Sequence, residues 1–174
     1  MGTVLTIDEL IVQLGSRKRN GERIVFTNGC FDLLHPGHIR SLESARALGD
    51  LLAVGVNSDA SVRANKTAGR PIIPAEERAE LLAALQCVDY VVIFDEPTPR
   101  ELIARVLPDV LVKGGDWGAN EIVGREEVEA SGGRVVSAEI VPGYSTTGLI
   151  EKIRGAAAPM QASTNSTSVR KSQR

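Results

Sequence analysis

Five short aliphatic runs, each long enough for one strand and little more, recur along this chain with helix-length segments between them. They are Ile24-Val25-Phe26-Thr27, Leu51 to Val56, Tyr90 to Phe94, Val110-Leu111-Val112 and Arg134 to Ser137. Unbroken apolar runs are what a strand covered on both faces needs, and the intervening helices supply the crossovers that parallel pairing requires. The pattern predicts an α/β fold: a Rossmann-like doubly wound parallel sheet with helices on both faces. Aromatic residues are 3% of the chain against 43% hydrophobic in total, so Val, Ile, Leu and Ala must fill the core. At 174 residues the chain is long enough for one such core.

Local signals place the helices. Thr6 and Glu9 have capping-box spacing and open a helix to about Arg17. A second helix runs from about Pro36 to Leu48 and is ended by Gly49. Pro74 precedes a helix over Glu76 to Leu85. Thr98-Pro99-Arg100-Glu101 repeats the capping-box logic and leads a helix to Leu107. Further helices are expected over Glu121 to Ala130 and from Ser145-Thr146-Thr147 to Arg154. Residues 57–73 are polar and basic and read mostly as loop, with a possible short helix after Asp59. Residues 1–154 are expected to form the domain. Residues 155–174, rich in Ala, Ser, Thr and Gln and free of acids, are expected to be a disordered tail.

Charge excludes some partners. The formal net charge is −2, and all 22 acidic residues precede residue 155, whereas Arg170, Lys171 and Arg174 follow it. The folded part is therefore acidic, with no general attraction for nucleic acid or anionic membrane, and any anion site in it must be made locally. No apolar run approaches a membrane span, and the first residues lack signal-peptide order. The expectation is a cytoplasmic protein with Cys30 and Cys87 as free thiols. Two histidines and two cysteines, with Cys87 far away in sequence, do not make a zinc set.

The densest chemistry lies in Asn28-Gly29-Cys30-Phe31-Asp32-Leu33-Leu34-His35-Pro36-Gly37-His38, directly after the first of the five runs. In such sheets ligands bind beyond the carboxyl ends of the strands. The chain has two histidines, and both fall here. Pro36 suits a first helical position, and Gly37 leaves the helix N-terminus open to a phosphate. Two imidazoles at that point can donate to phosphate oxygens and stabilise charge built up during displacement at phosphorus. The competing reading is a helix start with one capping and one exposed histidine. Cys30 has no independent histidine dyad and is not read as a nucleophile. No Gly-x-Gly-x-x-Gly follows the first run and no P-loop signature occurs, which disfavours dehydrogenase and P-loop chemistry.

This stretch resembles the cytidylyltransferase-like nucleotidyltransferases, whose signature is His-x-Gly-His after a Gly-x-Phe-Asp turn. The resemblance continues through Val56-Asn57-Ser58-Asp59, Glu77-Arg78, Val88-Asp89, Gly114 to Trp117 and Ser145-Thr146-Thr147, covering about residues 24–154. It implies that an acceptor phosphate attacks the α-phosphorus of a nucleotide directly, with Mg²⁺ and no covalent enzyme intermediate. Within the family the chain is most similar to the adenylyltransferases of ADP-heptose synthesis, which act on D-glycero-β-D-manno-heptose 1-phosphate. The stretches that carry this are Val56 to Ala60 with Lys66, Arg70-Pro71 and Pro108 to Asp116. The implied partners are ATP, a sugar 1-phosphate, a separate sugar kinase acting earlier, and further copies of the chain in a dimer or larger homo-oligomer. A cytidylyltransferase for glycerol 3-phosphate or a related alcohol phosphate remains the within-family alternative. A non-catalytic ATP-sensing module is the alternative from another class.

On this resemblance His35, His38 and Lys66 are the catalytic candidates. Cys30, Phe31, Gly37, Lys113, Gly114, Asp116, Tyr144, Ser145, Thr146 and Thr147 are candidates for the nucleotide, and Asn28, Asp32, Arg63, Arg78 and Trp117 for the acceptor. Asp32 can orient the loop instead of binding metal, Arg78 can be a surface helix residue, Lys66 and Arg63 can belong to a solvated loop, and Trp117 can close the core. Ser145 and Thr146 can cap a helix and bind phosphate at once. One departure stands out: many members carry Arg or Lys three residues after the last Thr, where this chain has Ile150. One cationic phosphate contact is therefore either missing or supplied elsewhere, with Lys66, Arg63 or Lys113 as the substitutes.

Overall fold

The computed structural model describes residues 1–66, 68–115, 122–138 and 141–156. Among them the strands are β1 (Thr3–Leu5), β2 (Ile24–Gly29), β3 (Leu51–Asn57), β4 (Tyr90–Phe94), β5 (Val110–Gly114) and β6 (Arg134–Ala138). The helices are α1 (Ile7–Arg19), α2 (Pro36–Arg46), α3 (Asp59–Asn65), α4 (Ala75–Ala83), α5 (Arg100–Val106), α6 (Arg125–Ala130) and α7 (Thr146–Ala156). The strands form a six-stranded sheet in the order β1-β4-β3-β2-β5-β6, with every neighbouring pair parallel. The doubly wound α/β architecture expected from the sequence is the one observed. None of the described helices is long and apolar enough to cross a membrane.

Alternation along each strand splits the core into two layers, as a pleated sheet demands. Ile24, Phe26, Leu51, Ala53, Val92, Phe94 and Leu111 pack on one face with Leu10 and Leu14 of α1, Leu102 and Ile103 of α5, and Val128 of α6. Val25, Leu52, Val54, Val56, Val91 and Val112 pack on the other with Leu42 of α2 and Ala79 and Leu82 of α4. From β2 the chain winds outward through β3 to β4, then returns to add β5 on the opposite side of β2. The reversal opens a crevice past the carboxyl ends of β2 and β5, where this topology places ligands.

Several local expectations change. The Thr6 and Glu9 capping box forms as expected. The second one does not: α5 starts after Pro99 with no side-chain cap, leaving Thr98 outside the helix. Strand β1 has no counterpart in the sequence reading, because three residues carry too little period to register. It pairs Thr3 with Tyr90 and Leu5 with Val92 at the sheet edge. Residues 59–65 form the short helix α3. Gly155 and Ala156 continue α7, so the folded chain outruns the expected boundary at residue 154, while 157–174 lie outside the described residues.

Two aspartates fix the register at the amino end of the sheet. Asp109 accepts from the Ile24 N–H at 2.7 Å, its own N–H donates to the Ile24 carbonyl, and its carbonyl accepts from Arg134. Asp89 repeats the arrangement with Leu52 and Thr3, its carboxylate accepting from Leu52 N–H at 2.7 Å. Each residue therefore ties three strands together. Replacing Asp109 by Ala leaves the Ile24 N–H without its carboxylate and is expected to cost about 1–3 kcal/mol in denaturant unfolding. Nucleotide affinity should stay unchanged, since the ligand crevice lies at the other end of the strands.

Candidate active site

The site begins with an awkward turn. After β2 the chain places Phe31 at φ 47°, a left-handed conformation that a bulky side chain adopts only when its surroundings hold it there. Those surroundings are two buried ion pairs. Asp32, fully buried, accepts from Ile72 N–H at 2.7 Å and Ile73 N–H at 2.9 Å, and its second oxygen takes the Arg70 guanidinium. Arg78, also fully buried, donates to the carbonyls of Ile73 and Cys30 and pairs with Asp59 at 2.7 Å. The turn after β2, the 70–73 loop, α3 and α4 are thereby locked to one another.

This overturns one reading and decides another. Arg78 is neither a surface helix residue nor exposed to a ligand: burial has spent its donors on the fold, so it is removed from the substrate-binding candidates. Asp32 orients the loop, as one of its two readings held, and has no oxygen left over for an acceptor.

The two histidines stand where the turn delivers them. His35 is the N-cap of α2, and its Nδ1 accepts from the His38 N–H at 3.3 Å. A ring nitrogen that accepts is unprotonated, so in neutral His35 the proton sits on Nε2, free to donate. The two rings stack with centroids 3.8 Å apart and 13° between planes, and Phe31 meets His38 edge-on at 5.4 Å. Burial, then the neighbouring His35 and Arg70, push the His38 pKa down to about 4. Burial lowers His35 as well. Both imidazoles are therefore neutral near pH 7, which lets them stack without repulsion and present N–H groups to a ligand that brings its own charge. His38 Nδ1 is buried and has no partner in the protein.

The stack separates two cavities. A larger one of about 520 Å³ is lined by His38, Asn28, Asn57, Lys66, Lys113 and Gly114, with Cys30 and Phe31 also on its wall. A smaller one of about 210 Å³ lies between His35 and the start of α7, lined by Tyr144, Ser145, Gly148 and Lys152. Ser145 caps α7, its hydroxyl accepting from Gly148 N–H at 3.0 Å. The first-turn N–H groups of Thr146 and Thr147 have no intrahelical acceptor, a ready arrangement for anionic oxygens. Gly37 is needed for packing beyond phosphate access: a Cβ there would lie 2.9 Å from the Tyr144 Cβ and 3.0 Å from the His35 ring.

The expected basic cluster is dispersed. Lys66 reaches the larger cavity, Arg70 is spent on Asp32, and Arg63 lines a separate depression with Gly69 and Pro71. Lys113 is partly buried at the mouth of β5, and burial lowers its pKa. Asp116 and Trp117 lie outside the described residues. Sequence reasoning missed Asn65, Thr98 and Lys152 as lining residues. Thr98 was hidden by an apparent capping role, and Lys152 by its place two positions beyond Ile150. Among the described residues no group of carboxylates, histidines and cysteines could hold a metal ion.

These features match a known family. The description "Cytidylyltransferase-like" fits residues 26–152 of this chain. The chain belongs to the cytidylyltransferase-like family. As a member it is a nucleotidyltransferase, and both histidines lie within the matched residues. Among curated relatives it is 57% identical over 151 residues to the bifunctional protein HldE of Geotalea uraniireducens, covering 87% of this chain and 31% of that one. It is 58% identical over 149 residues to the bifunctional protein HldE of Koribacter versatilis, covering 86% and 31%. The chain thus spans about a third of the length of these relatives. Among solved structures, a lipopolysaccharide core biosynthesis protein from Thermoplasma volcanium superposes with a TM-score of 0.59 at 29% identity, covering 70% of this chain and 98% of that one. A pantothenate synthetase from Thermus thermophilus shares the fold, with a TM-score of 0.56 at 20% identity over 81% of this chain and 62% of that one.

The buried arginine gives the site's sharpest structural test. Arg78→Met leaves the Asp59 carboxylate and two carbonyls without donors. It is expected to cost at least about 2 kcal/mol, short of a fully buried pair because Asp59 stays 30% exposed. Thermal and denaturant unfolding measure it. A side chain that only touched substrate would instead raise KM and leave the melting temperature alone.

Proposed function

We propose that this cytidylyltransferase-like domain transfers AMP from ATP to D-glycero-β-D-manno-heptose 1-phosphate, releasing pyrophosphate and forming ADP-heptose for lipopolysaccharide core synthesis. The observation that carries the reading is the neutral histidine stack between two cavities, one for the reacting groups and one for the phosphate tail. The acceptor and nucleotide base follow from the resemblance of residues 108–116 to the heptose adenylyltransferases, and the identity with HldE proteins over residues of the same kind supports it. The chain spans about a third of those bifunctional relatives, and a sugar kinase activity is proposed to supply the sugar 1-phosphate. A cytoplasmic setting, where ATP is held, is part of the same proposal.

The chemistry asks little of the protein beyond position and charge. A phosphate monoester has its second pKa near about 6, so the acceptor arrives ionised at neutral pH. Its oxygen attacks the α-phosphorus, a new phosphorus–oxygen bond forms, and the bond to the β-phosphate breaks, with the electron pair leaving on pyrophosphate. No proton must be removed, which suits a site whose Asp32 and Asp59 are engaged in ion pairs. His35 and His38 N–H groups then stabilise charge on the α- and β-phosphate oxygens as it develops. The start of α7 and Lys152 hold the departing pyrophosphate, and Lys66 and Lys113 hold the acceptor phosphate. Among the described residues no three or more carboxylates, histidines or cysteines gather into a metal site, and Mg²⁺ is proposed to enter on the nucleotide as part of the substrate.

The test is pyrophosphate release with ATP or CTP against heptose 1-phosphate and glycerol 3-phosphate. ATP with the heptose should exceed every other pair. Preference for CTP with glycerol 3-phosphate would move the chain to an alcohol-phosphate cytidylyltransferase. ATP binding without pyrophosphate from any acceptor would make it a nucleotide sensor.

A further inference from the structure

Three asparagines line the larger cavity: Asn28 at the end of β2, Asn57 at the end of β3 and Asn65 at the end of α3. For Asn57 and Asn65 the amide orientation follows from their partners. Asn65 Nδ2 donates to the carbonyls of Ser61 at 3.0 Å and Pro97 at 3.2 Å, and only the amino group can serve two acceptors. Ser61 donates its hydroxyl proton to the Glu96 carbonyl at 3.2 Å, so the Asn57 contact to Ser61 Oγ at 3.0 Å must come from Nδ2. In both residues the fold consumes the amino group and leaves the carbonyl oxygen for the cavity. Asn57 Oδ1 has only a distant thiol, Cys30 Sγ at 3.9 Å. Asn28 Oδ1 is buried and has no donor in the protein.

We infer that these three carboxamide oxygens form a hydroxyl-accepting wall that recognises the sugar ring of the acceptor. The inference rests on the proposed sugar 1-phosphate reading and says which residues read the sugar. Neutral acceptors with no internal donors favour hydroxyls and repel phosphate oxygens, so this wall is unsuited to the triphosphate. Position agrees. Asn57 and Asn65 lie on the β3 side of β2, whereas Gly114 ends β5 on the opposite side. Strand spacing puts the ends of β3 and β5 roughly 10 Å apart. Lys66, which follows Asn65 directly, brings a cation to the same side for the sugar's phosphate. The wall thus pairs uncharged acceptors with an adjacent ammonium group, the complement of a polyol that carries one phosphate.

Asn28 is the residue to change first, because it has no hydrogen bond to lose within the protein. Kinetics of Asn28→Ala and Asn57→Ala would be compared with the native chain, using ATP with heptose 1-phosphate and with each of its monodeoxy analogues. In the native chain at least one deoxy analogue should lose roughly 5- to 150-fold in kcat/KM, since a buried carbonyl oxygen is left unpaired. In the variant lacking that oxygen the same deletion should cost little more, and the KM for ATP should stay within about twofold. Equal deoxy penalties in native and variant chains would overturn the wall, as would a rise in KM for ATP matching the loss for the sugar. Unchanged ATP affinity by calorimetry certifies that each variant is folded. Absence of turnover with any sugar 1-phosphate in the native chain would remove the heptose reading and this assignment together. Turnover with purely additive penalties would remove the assignment alone.

Discussion

Much of this site depends on how two charges are buried beneath one turn. Asp32 and Arg78 are both excluded from solvent, and neither could stay ionised there without a full set of partners. Asp32 obtains two backbone N–H groups and Arg70, and Arg78 obtains Asp59 and two carbonyls. These partners come from three separate parts of the chain, and Arg78 itself from a fourth. Satisfying both charges therefore fixes the 70–73 loop, α3 and α4 against the turn after β2, and holds Phe31 in its left-handed conformation. That conformation sets the course of the chain into α2, and with it the stacking of His35 on His38.

The histidines show how an acidic domain makes an anion site. Permanent cations at this point would attract each other's counter-ions and repel one another across 3.8 Å. Burial instead lowers both pKa values and favours the neutral rings. The site then offers oriented N–H dipoles, a helix start and lysines at its two margins. Preorganised donors of this kind need no rearrangement when charge shifts from the α-phosphorus to the leaving group. In the proposed reaction the acceptor brings its own negative charge, and no proton transfer is asked of the protein.

The sequence made the sheet, its alternation and the helix starts legible, because periodicity and capping act within a few residues. Five strands and the Thr6 and Glu9 box are read from such local signals. β1 is not, since its place depends on Asp89 and Tyr90 far along the chain. The histidines and the α7 start were visible for the same local reason, while their division between two cavities was not. Arg78 shows the limit most plainly. In a sequence it is one arginine in an amphipathic helix, and only the closing of α3 and the turn around it makes it a buried brace. Thr98 shows the converse, a plausible cap that tertiary structure releases to line the cavity. Asn28 and Asn57 lie in stretches the sequence singles out and Asn65 does not, but which half of an amide the fold consumes shows only in the folded contacts.

The central claim is that His38 stabilises charge in the transition state from a neutral, preorganised position. His38→Ala tests it more cleanly than His35→Ala, because the His35 ring also caps α2. The deciding measurement is kcat for the variant beside its Kd for ATP, with melting temperature as the control for folding. A loss in kcat on the order of 10²–10³, with ATP affinity changed only a few-fold and a near-native melting temperature, is the result this mechanism predicts. Full kcat in the variant, or a loss confined to ATP affinity, would contradict it.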